Sequence, residues 1–118
     1  IDPAANVGNS GGGPFVRTTF ASGIRSVYYI DIDSAGNVYA AEYDTPTTIA
    51  IVDPSGAVSR FNVSGGAPVG VAVDSANNVY YNFAGNTIYK RTPAGTITTF
   101  ATISGAAHGM TFDSAGNL

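Results

Sequence analysis

The sequence contains no cysteine and no tryptophan, and it has a single histidine and a single methionine. Without cysteine, neither a disulfide framework nor a thiolate metal site can form. Charged residues make up 11% of the chain, whereas about 25% is typical of a soluble domain. The polar surface must therefore come from Ser, Thr, Asn and Gly. This composition suits an extracellular or cell-surface protein, and we expect a prokaryotic one.

Long apolar runs and basic clusters are missing as well. No apolar run approaches the roughly 20 residues of a transmembrane helix, so we expect no membrane span. The five basic residues are spread along the chain, and the net charge is -3. Because this chain has no basic stripe that could neutralise a run of phosphates, we expect no nucleic-acid partner.

A short repeat dominates what the sequence does contain. The pentapeptide DSAGN occurs at Asp33 and again at Asp113, and the near copy DSANN begins at Asp74, so that the two spacings are 41 and 39 residues. The same spacings separate three phenylalanines, namely Phe20, Phe61 and Phe100. A period near 40 residues indicates a repeat architecture.

Each repeat unit is predicted to consist of β-strands. Runs such as VYYIDID (27–33) and VGVAVD (69–74) are short, rich in β-branched and aromatic residues, and followed by Ser, Asn and Gly. The predicted strands are 15–20, 27–33, 38–43, 48–53, 57–62, 69–74, 78–83, 87–92, 96–101 and 108–113. Four short antiparallel strands per period are typical of one blade of a β-propeller. The sequence therefore predicts an all-β fold with about two whole blades and partial blades at both ends.

The register of the repeat predicts how the chain is divided. The expected parts are the end of a blade strand with a Gly-rich outer loop (1–14), the outer strand and exit loop of a preceding blade (15–26), two blades (27–65 and 66–105), and the start of a further blade (106–118). Propellers contain about four to eight blades. We therefore expect further blades of the same or of neighbouring chains as partners. An excerpt of a longer propeller is the first interpretation, and copies that complete one another in a ring or filament are the alternative.

The repeated pentapeptides are interpreted as tight turns between strands. Their Asp side chains can accept hydrogen bonds from backbone N–H groups about two residues on, and their Gly or Asn can adopt a positive φ. The predicted turn residues are Asp33, Gly36, Asn37, Asp74, Asn77, Asn78, Asp113, Gly116 and Asn117. Turn capping explains the recurrence of the three Asp residues without a bound ligand.

One run of the sequence resembles a known family. GVAVDSANNVYYNFAGNTIYKRTPAGTITTF (70–100) resembles an NHL-type repeat and is similar to blades of the gluconolactonase and virginiamycin-lyase-like propellers. The resemblance covers roughly residues 15–118. It departs from the family pattern at Asn77, which replaces the usual Gly, and in the Gly-rich stretch before Phe15. The resemblance implies a β-propeller fold, and this fold hosts many functions.

His108 is the one candidate for a catalytic residue. It lies five residues before Asp113, where an innermost strand of a blade is predicted to begin. The run AHGMTFDSAGN resembles the His-Gly-apolar signature of lyase-like propellers, which implies that His108 faces a substrate or a metal. A single imidazole does not make a catalytic zinc site, which needs about three protein ligands. The alternative is a polar histidine that lines the central channel without taking part in chemistry.

Glu42 and Asp44 are the candidates for a partial metal site. Calcium takes about six to eight oxygen ligands, which lactonase-like propellers gather from several blades. Because these carboxylates do not recur in the second repeat, we expect no cofactor, and Ca²⁺ or another divalent cation is the alternative. Asn62 begins an Asn-x-Ser pattern and is a candidate glycosylation site.

The run GNSGG (8–12) matches the letters of a G-x-S-x-G motif, but it lies in a Gly-rich stretch that no predicted helix follows. We therefore interpret it neither as a nucleophile motif nor as a phosphate-binding glycine loop. The first interpretation of function is a non-catalytic extracellular module for structural assembly, adhesion, or binding of a protein or glycan. The alternative is a fragment of a propeller hydrolase or lyase, lactonase-like or virginiamycin-lyase-like, with a divalent metal in the central channel.

Overall fold

The structure is a computed structural model that describes residues 15–44 and 46–118. Its elements are eight strands: β1 (Val27–Ile32), β2 (Val38–Glu42), β3 (Thr48–Val52), β4 (Val58–Asn62), β5 (Gly70–Val73), β6 (Val79–Asn82), β7 (Thr87–Arg91) and β8 (Ile97–Thr102). Within the described ranges, no helix is long and apolar enough to cross a membrane. The predicted all-β class is confirmed, and each of these eight strands lies within one residue of its predicted bounds.

The strands form two separate four-stranded sheets. Their orders are β1-β2-β3-β4 and β5-β6-β7-β8, and every neighbouring pair is antiparallel. Each strand therefore pairs with the next one along the chain, as short connections allow only for antiparallel neighbours. Each sheet is one blade, and we call them the first and the second blade.

Two predicted strands are wrong. Residues 15–20 and 108–113 lie within the described part of the chain but form no strand. Their aromatic, β-branched and other apolar residues favour an extended backbone, yet a strand also needs a hydrogen-bonded neighbour, and neither segment is paired in these two sheets. Residues 108–113 still pack on the second blade, where the ring of Phe112 lies 5.0 Å from that of Tyr80. The Gly-rich loop predicted within 1–14 lies outside the described residues.

The repeated pentapeptides form turns at one end of the two blades and in residues 113–117. Asp33 Oδ1 accepts hydrogen bonds from the backbone N–H groups of Ala35 and Asn37, both at 2.9 Å. Asp74 and Asp113 bind the corresponding N–H groups of their own turns at 2.8 to 2.9 Å. The positive φ angles are 86° at Gly36, 62° at Asn77 and 84° at Gly116. These contacts reverse the chain at the same end of each blade.

The hydrophobic core lies between the blades. One cluster joins the first blade to the second; its buried residues are Tyr39, Ala41, Ile49, Val63, Val71, Val73, Val79 and Tyr81. A second cluster joins the second blade to residues 106–118; it comprises Ala72, Tyr80, Ile88 and Met110, with Phe112 against it. Each blade thus buries one face against the next, as sheets with one apolar face must.

Candidate functional site

The end of the blades opposite to the pentapeptide turns carries an exposed aromatic group. β1 begins and β2 ends there, because Val27 pairs with Glu42. The ring of Tyr28 lies 6.0 Å from the imidazole of His108 and 5.7 Å from the ring of Tyr43, measured between centroids. We call Tyr28, Tyr43 and His108 the mouth cluster. All three side chains are exposed, so the structure places His108 where a ligand could reach it.

The segment that carries His108 lies against both blades. The N–H of Ala107 donates a hydrogen bond to the carbonyl of Gly85, at 3.2 Å, in the turn between β6 and β7. On the other side, Gly109 is covered by the ring of Tyr29. A Cβ atom at Gly109 would lie 2.8 Å from this ring, closer than real Cβ contacts allow, so glycine permits the close approach. The position of His108 is therefore defined by the first and the second blade together.

Glu42, a candidate metal ligand from the sequence, is the centre of a buried ion-pair network. Its carboxylate is fully buried. Oε1 accepts hydrogen bonds from the Arg25 backbone N–H and from Arg60 Nη2, each at 2.9 Å, and Oε2 accepts from Arg60 Nε at 2.9 Å and from Arg25 Nη2 at 3.3 Å. The hydroxyl of Thr48 donates a further bond to Oε2 at 2.5 Å. Since both oxygens face positive or donor groups, this carboxylate does not suit a cation.

The electrostatics of Glu42 follow from these contacts. Burial by itself would raise the pKa of Glu42, but the hydrogen bonds from Arg60, Thr48 and the Arg25 backbone outweigh it and lower the pKa to about 2. The carboxylate is thus ionised throughout the physiological range. Its partners lie in β3, in β4 and in the segment before β1, so the network joins these elements at the end of the first blade that carries Tyr28 and Tyr43.

Asp44, the second candidate metal ligand, is exposed and accepts a hydrogen bond from the Ser26 hydroxyl at 2.5 Å. In the part of the chain that the structure describes, no group of three His, Asp or Glu side chains could hold a metal ion. The donors at this end of the first blade are a single imidazole, the exposed carboxylate of Asp44 and a Glu42 carboxylate bound by two guanidinium groups, and this set does not fit a divalent-cation site. Asn62 is the last residue of β4, is exposed, and pairs with Thr48.

An open cleft of about 280 Å³ lies at the opposite end of the molecule, between the turns of the second blade and of residues 113–117. Two carboxylates line it, those of Asp74 and Asp113. Both are engaged by their own turns, Asp74 by Asn78 and Tyr80 as well as by backbone N–H groups, and Asp113 by Asn117. Both carboxylates of the cleft are therefore already hydrogen bonded within the protein, and the mouth cluster is the better candidate site.

The sequence prediction missed the residues that surround His108. In the first blade Tyr29 pairs with Ala41 across β1 and β2, and in the second blade Gly70 pairs with Asn82 across β5 and β6. The two pairs hold equivalent positions, but their residue types differ. Such departures from the repeat are visible in an alignment of the two blades. They are the signal that could have directed attention to this end of the second blade.

The chain is similar in structure to solved β-propeller lyases. No protein-family model matches the chain. No curated protein matches it either. Virginiamycin B lyase from Staphylococcus aureus superposes with a TM-score of 0.64 at 18% identity, over 80% of this chain and 34% of that one. This chain has a β-propeller fold.

Two further solved structures agree with this result. A catalytically inactive histidine-to-alanine variant of the same lyase with quinupristin gives a TM-score of 0.61 at 20% identity, over 76% of this chain and 32% of that one. A streptogramin B lyase gives 0.60 at 16% identity, over 74% and 30%. This chain spans about a third of the length of these propellers. The predicted resemblance to virginiamycin-lyase-like propellers is confirmed for the fold.

Proposed function

We propose that this chain is part of a β-propeller lyase and that the mouth cluster borders its substrate-binding site. The observation that carries the proposal is the position of His108, whose exposed imidazole lies beside Tyr28 at the end of the innermost strand. In a closed propeller the innermost strands surround the central channel, so their ends are open to a ligand. The similarity to propeller lyases, one of which is inactive when a histidine is replaced, supports this role.

The chemistry of the mouth cluster suits proton transfer next to an apolar surface. Histidine is the side chain whose charge ordinarily changes between about pH 5 and 8, and a positioned acid or base contributes roughly 10²- to 10⁴-fold to a rate. Tyr28 and Tyr43 present rigid rings that combine apolar contact with a hydroxyl group. We assign His108 the transfer of a proton to or from the substrate, and the two tyrosines the contact with an apolar part of it.

A non-catalytic binding module is the second candidate, and the exposed tyrosine pair favours it. The side chains of Tyr28 and Tyr43 are 52% and 53% exposed, and exposed tyrosines are common anchors for protein and glycan partners. In that case His108 would contribute contact area and hydrogen bonding rather than proton transfer. The two functions differ in whether a bound ligand is converted.

Turnover of quinupristin by the protein that contains this chain separates the two candidates. Conversion is followed by liquid chromatography with mass spectrometry, and binding by titration calorimetry. We expect the unchanged protein to convert quinupristin and His108→Ala to lower kcat by about 10²- to 10⁴-fold. The control is Thr111→Ala, an exposed residue of the same segment, which should leave kcat unchanged.

Two outcomes would contradict the lyase proposal. Binding of quinupristin without conversion, with equal affinity in His108→Ala, would favour the binding module. Neither binding nor conversion would exclude this substrate class.

A further inference from the structure

Asn82 places a polar side chain in the core of the second blade. It is fully buried at the end of β6 and pairs with Gly70 of β5. The equivalent position of the first blade is Ala41, which is also fully buried. Packing at this position therefore needs no amide, and a buried amide is unfavourable unless it is hydrogen bonded. The amide must be explained by what it contacts.

The amide of Asn82 binds the backbone next to His108. Its Nδ2 donates a hydrogen bond to the carbonyl oxygen of Ala107, the residue before His108. The opposite orientation of the amide would place Oδ1 against that carbonyl oxygen, acceptor against acceptor. Since the N–H of Ala107 is bound by Gly85, both backbone groups of Ala107 are held by the second blade.

Gly70 allows the backbone of His108 to come close to the same place. A Cβ atom at Gly70 would lie 2.6 Å from the carbonyl oxygen of His108 and 2.5 Å from Asn82 Oδ1. Any side chain at position 70 would displace either the His108 carbonyl or the Asn82 amide. Gly70 and Asn82 therefore both determine where the segment around His108 lies. Tyr29 occupies the position in the first blade that is equivalent to Gly70, and its ring lies against Gly109.

We infer that Asn82 is a positioning residue for His108: its amide fixes the Ala107 carbonyl and thereby the direction in which the imidazole enters the mouth cluster. The effect on catalysis rests on the proposed function, whereas the effect on the position of His108 does not. Asn82 is buried beneath the segment that it holds and acts through the backbone.

The test replaces Asn82 by Ala in the protein as it exists and measures His108 directly. The imidazole resonances are assigned by comparison with His108→Gln, and the ring of Tyr28 makes their chemical shifts sensitive to the distance between the two rings. We expect Asn82→Ala to shift these resonances and to lower kcat for quinupristin by about 10- to 100-fold, since a displacement of about 1 Å can have that effect. Tyr81→Phe, a buried neighbour on β6, is the control and should change neither.

The outcomes separate this inference from the proposed function. Shifted His108 resonances in a protein that converts no quinupristin would support the positioning role and reject the lyase proposal. Unshifted resonances together with an unchanged kcat, in a folded Asn82→Ala protein, would overturn the inference. Should Asn82→Ala fail to fold, the His108 resonances and kcat are measured in Asn82→Ser and in Gly70→Ala instead. Gly70→Ala is informative because its methyl group would displace the Asn82 amide or the His108 carbonyl from the side of β5.

Discussion

At the scale of single residues, Glu42 shows how a buried charge is accommodated in a chain with few charges. Two of the five basic residues of the chain, Arg25 and Arg60, bind its carboxylate. Burying a carboxylate is costly, and removing one partner of such a group costs more than the pair itself contributes, because a charge is left without compensation. The network therefore specifies how the segment before β1 joins β2 and β4.

Glu42→Gln tests this network through its pH dependence. The pKa of Glu42 is lowered from 4.5 to about 2 by the hydrogen bonds that outweigh burial, so the folded state binds this proton less readily than the unfolded state. The contribution of Glu42 to stability is complete above about pH 4.5 and is lost as the pH falls towards about 2. We expect Glu42→Gln to lower the free energy of unfolding by about 3 kcal/mol at pH 7 and to reduce the loss of stability in acid.

Denaturant unfolding between pH 7 and pH 2 measures both effects. Asp44→Asn, which changes an exposed carboxylate near the end of the same strand, is the control and should have little effect. An acid-induced loss of stability in Glu42→Gln equal to that of the unchanged protein would contradict the assignment.

The sequence singled out Glu42 as a candidate cation ligand but did not show which side chains bind it. A carboxylate at the end of a strand near a second carboxylate fits a cation site by residue type alone. The guanidinium groups that bind it come from positions 17 and 18 residues away. No local pattern connects these residues: the pairing of β1 with β2 brings Arg25 near Glu42, and the pairing of β2, β3 and β4 brings Arg60 there. His108 was found because it is a single unusual residue, whereas its support by Asn82 depends on tertiary contacts.

At the scale of the strands and turns, local sequence was sufficient for eight strands. Short runs rich in β-branched and aromatic residues predict a strand, and the turn residues that follow predict where it ends, because both act within the same few residues. Residues 15–20 and 108–113 contain such residues but are unpaired in the two sheets. Local preference thus predicts where a strand can form, and the presence of a neighbour decides whether it does.

Gly36 and Asn77 provide a test at this scale, since both occupy the positive-φ position of the same turn. We expect Gly36→Asn to change the free energy of unfolding by less than about 0.5 kcal/mol, because Asn tolerates this conformation. Gly36→Val should cost about 1 to 2 kcal/mol or more, because a β-branched residue does not. Denaturant midpoints of the two variants give the comparison, and equal stabilities would argue against a strained turn.

At the scale of the whole molecule, one hydrogen bond among the described residues crosses directly from the first blade to the second. The Val73 N–H of β5 donates to Asp31 Oδ2 of β1 at 2.8 Å, while Asp31 Oδ1 accepts from the next residue of its own strand. The residue 41 positions after Asp31 is Ala72. The repeat therefore carries this contact at one junction and not at the next.

Asp31→Ala should loosen the junction between the blades without breaking either sheet. A hydrogen bond to a charged group contributes about 1.5 to 3 kcal/mol, and its loss should speed hydrogen exchange at the Val73 amide. Asp31→Asn keeps an acceptor in the same place and should retain most of the protection. Exchange rates of Val73 that are equal in all three proteins would show that the bond does not hold the junction.

The two junctions of this repeat also differ in the kind of bond that spans them. Asp31, a carboxylate, links the first blade to the second, whereas Asn82, a neutral amide, links the second blade to the segment before His108. In a repeat protein each interface with a neighbour contributes its own share of stability. Loss of either bond therefore loosens its own junction and leaves the other in place, so that the blades can separate from each other while His108 stays on the second blade.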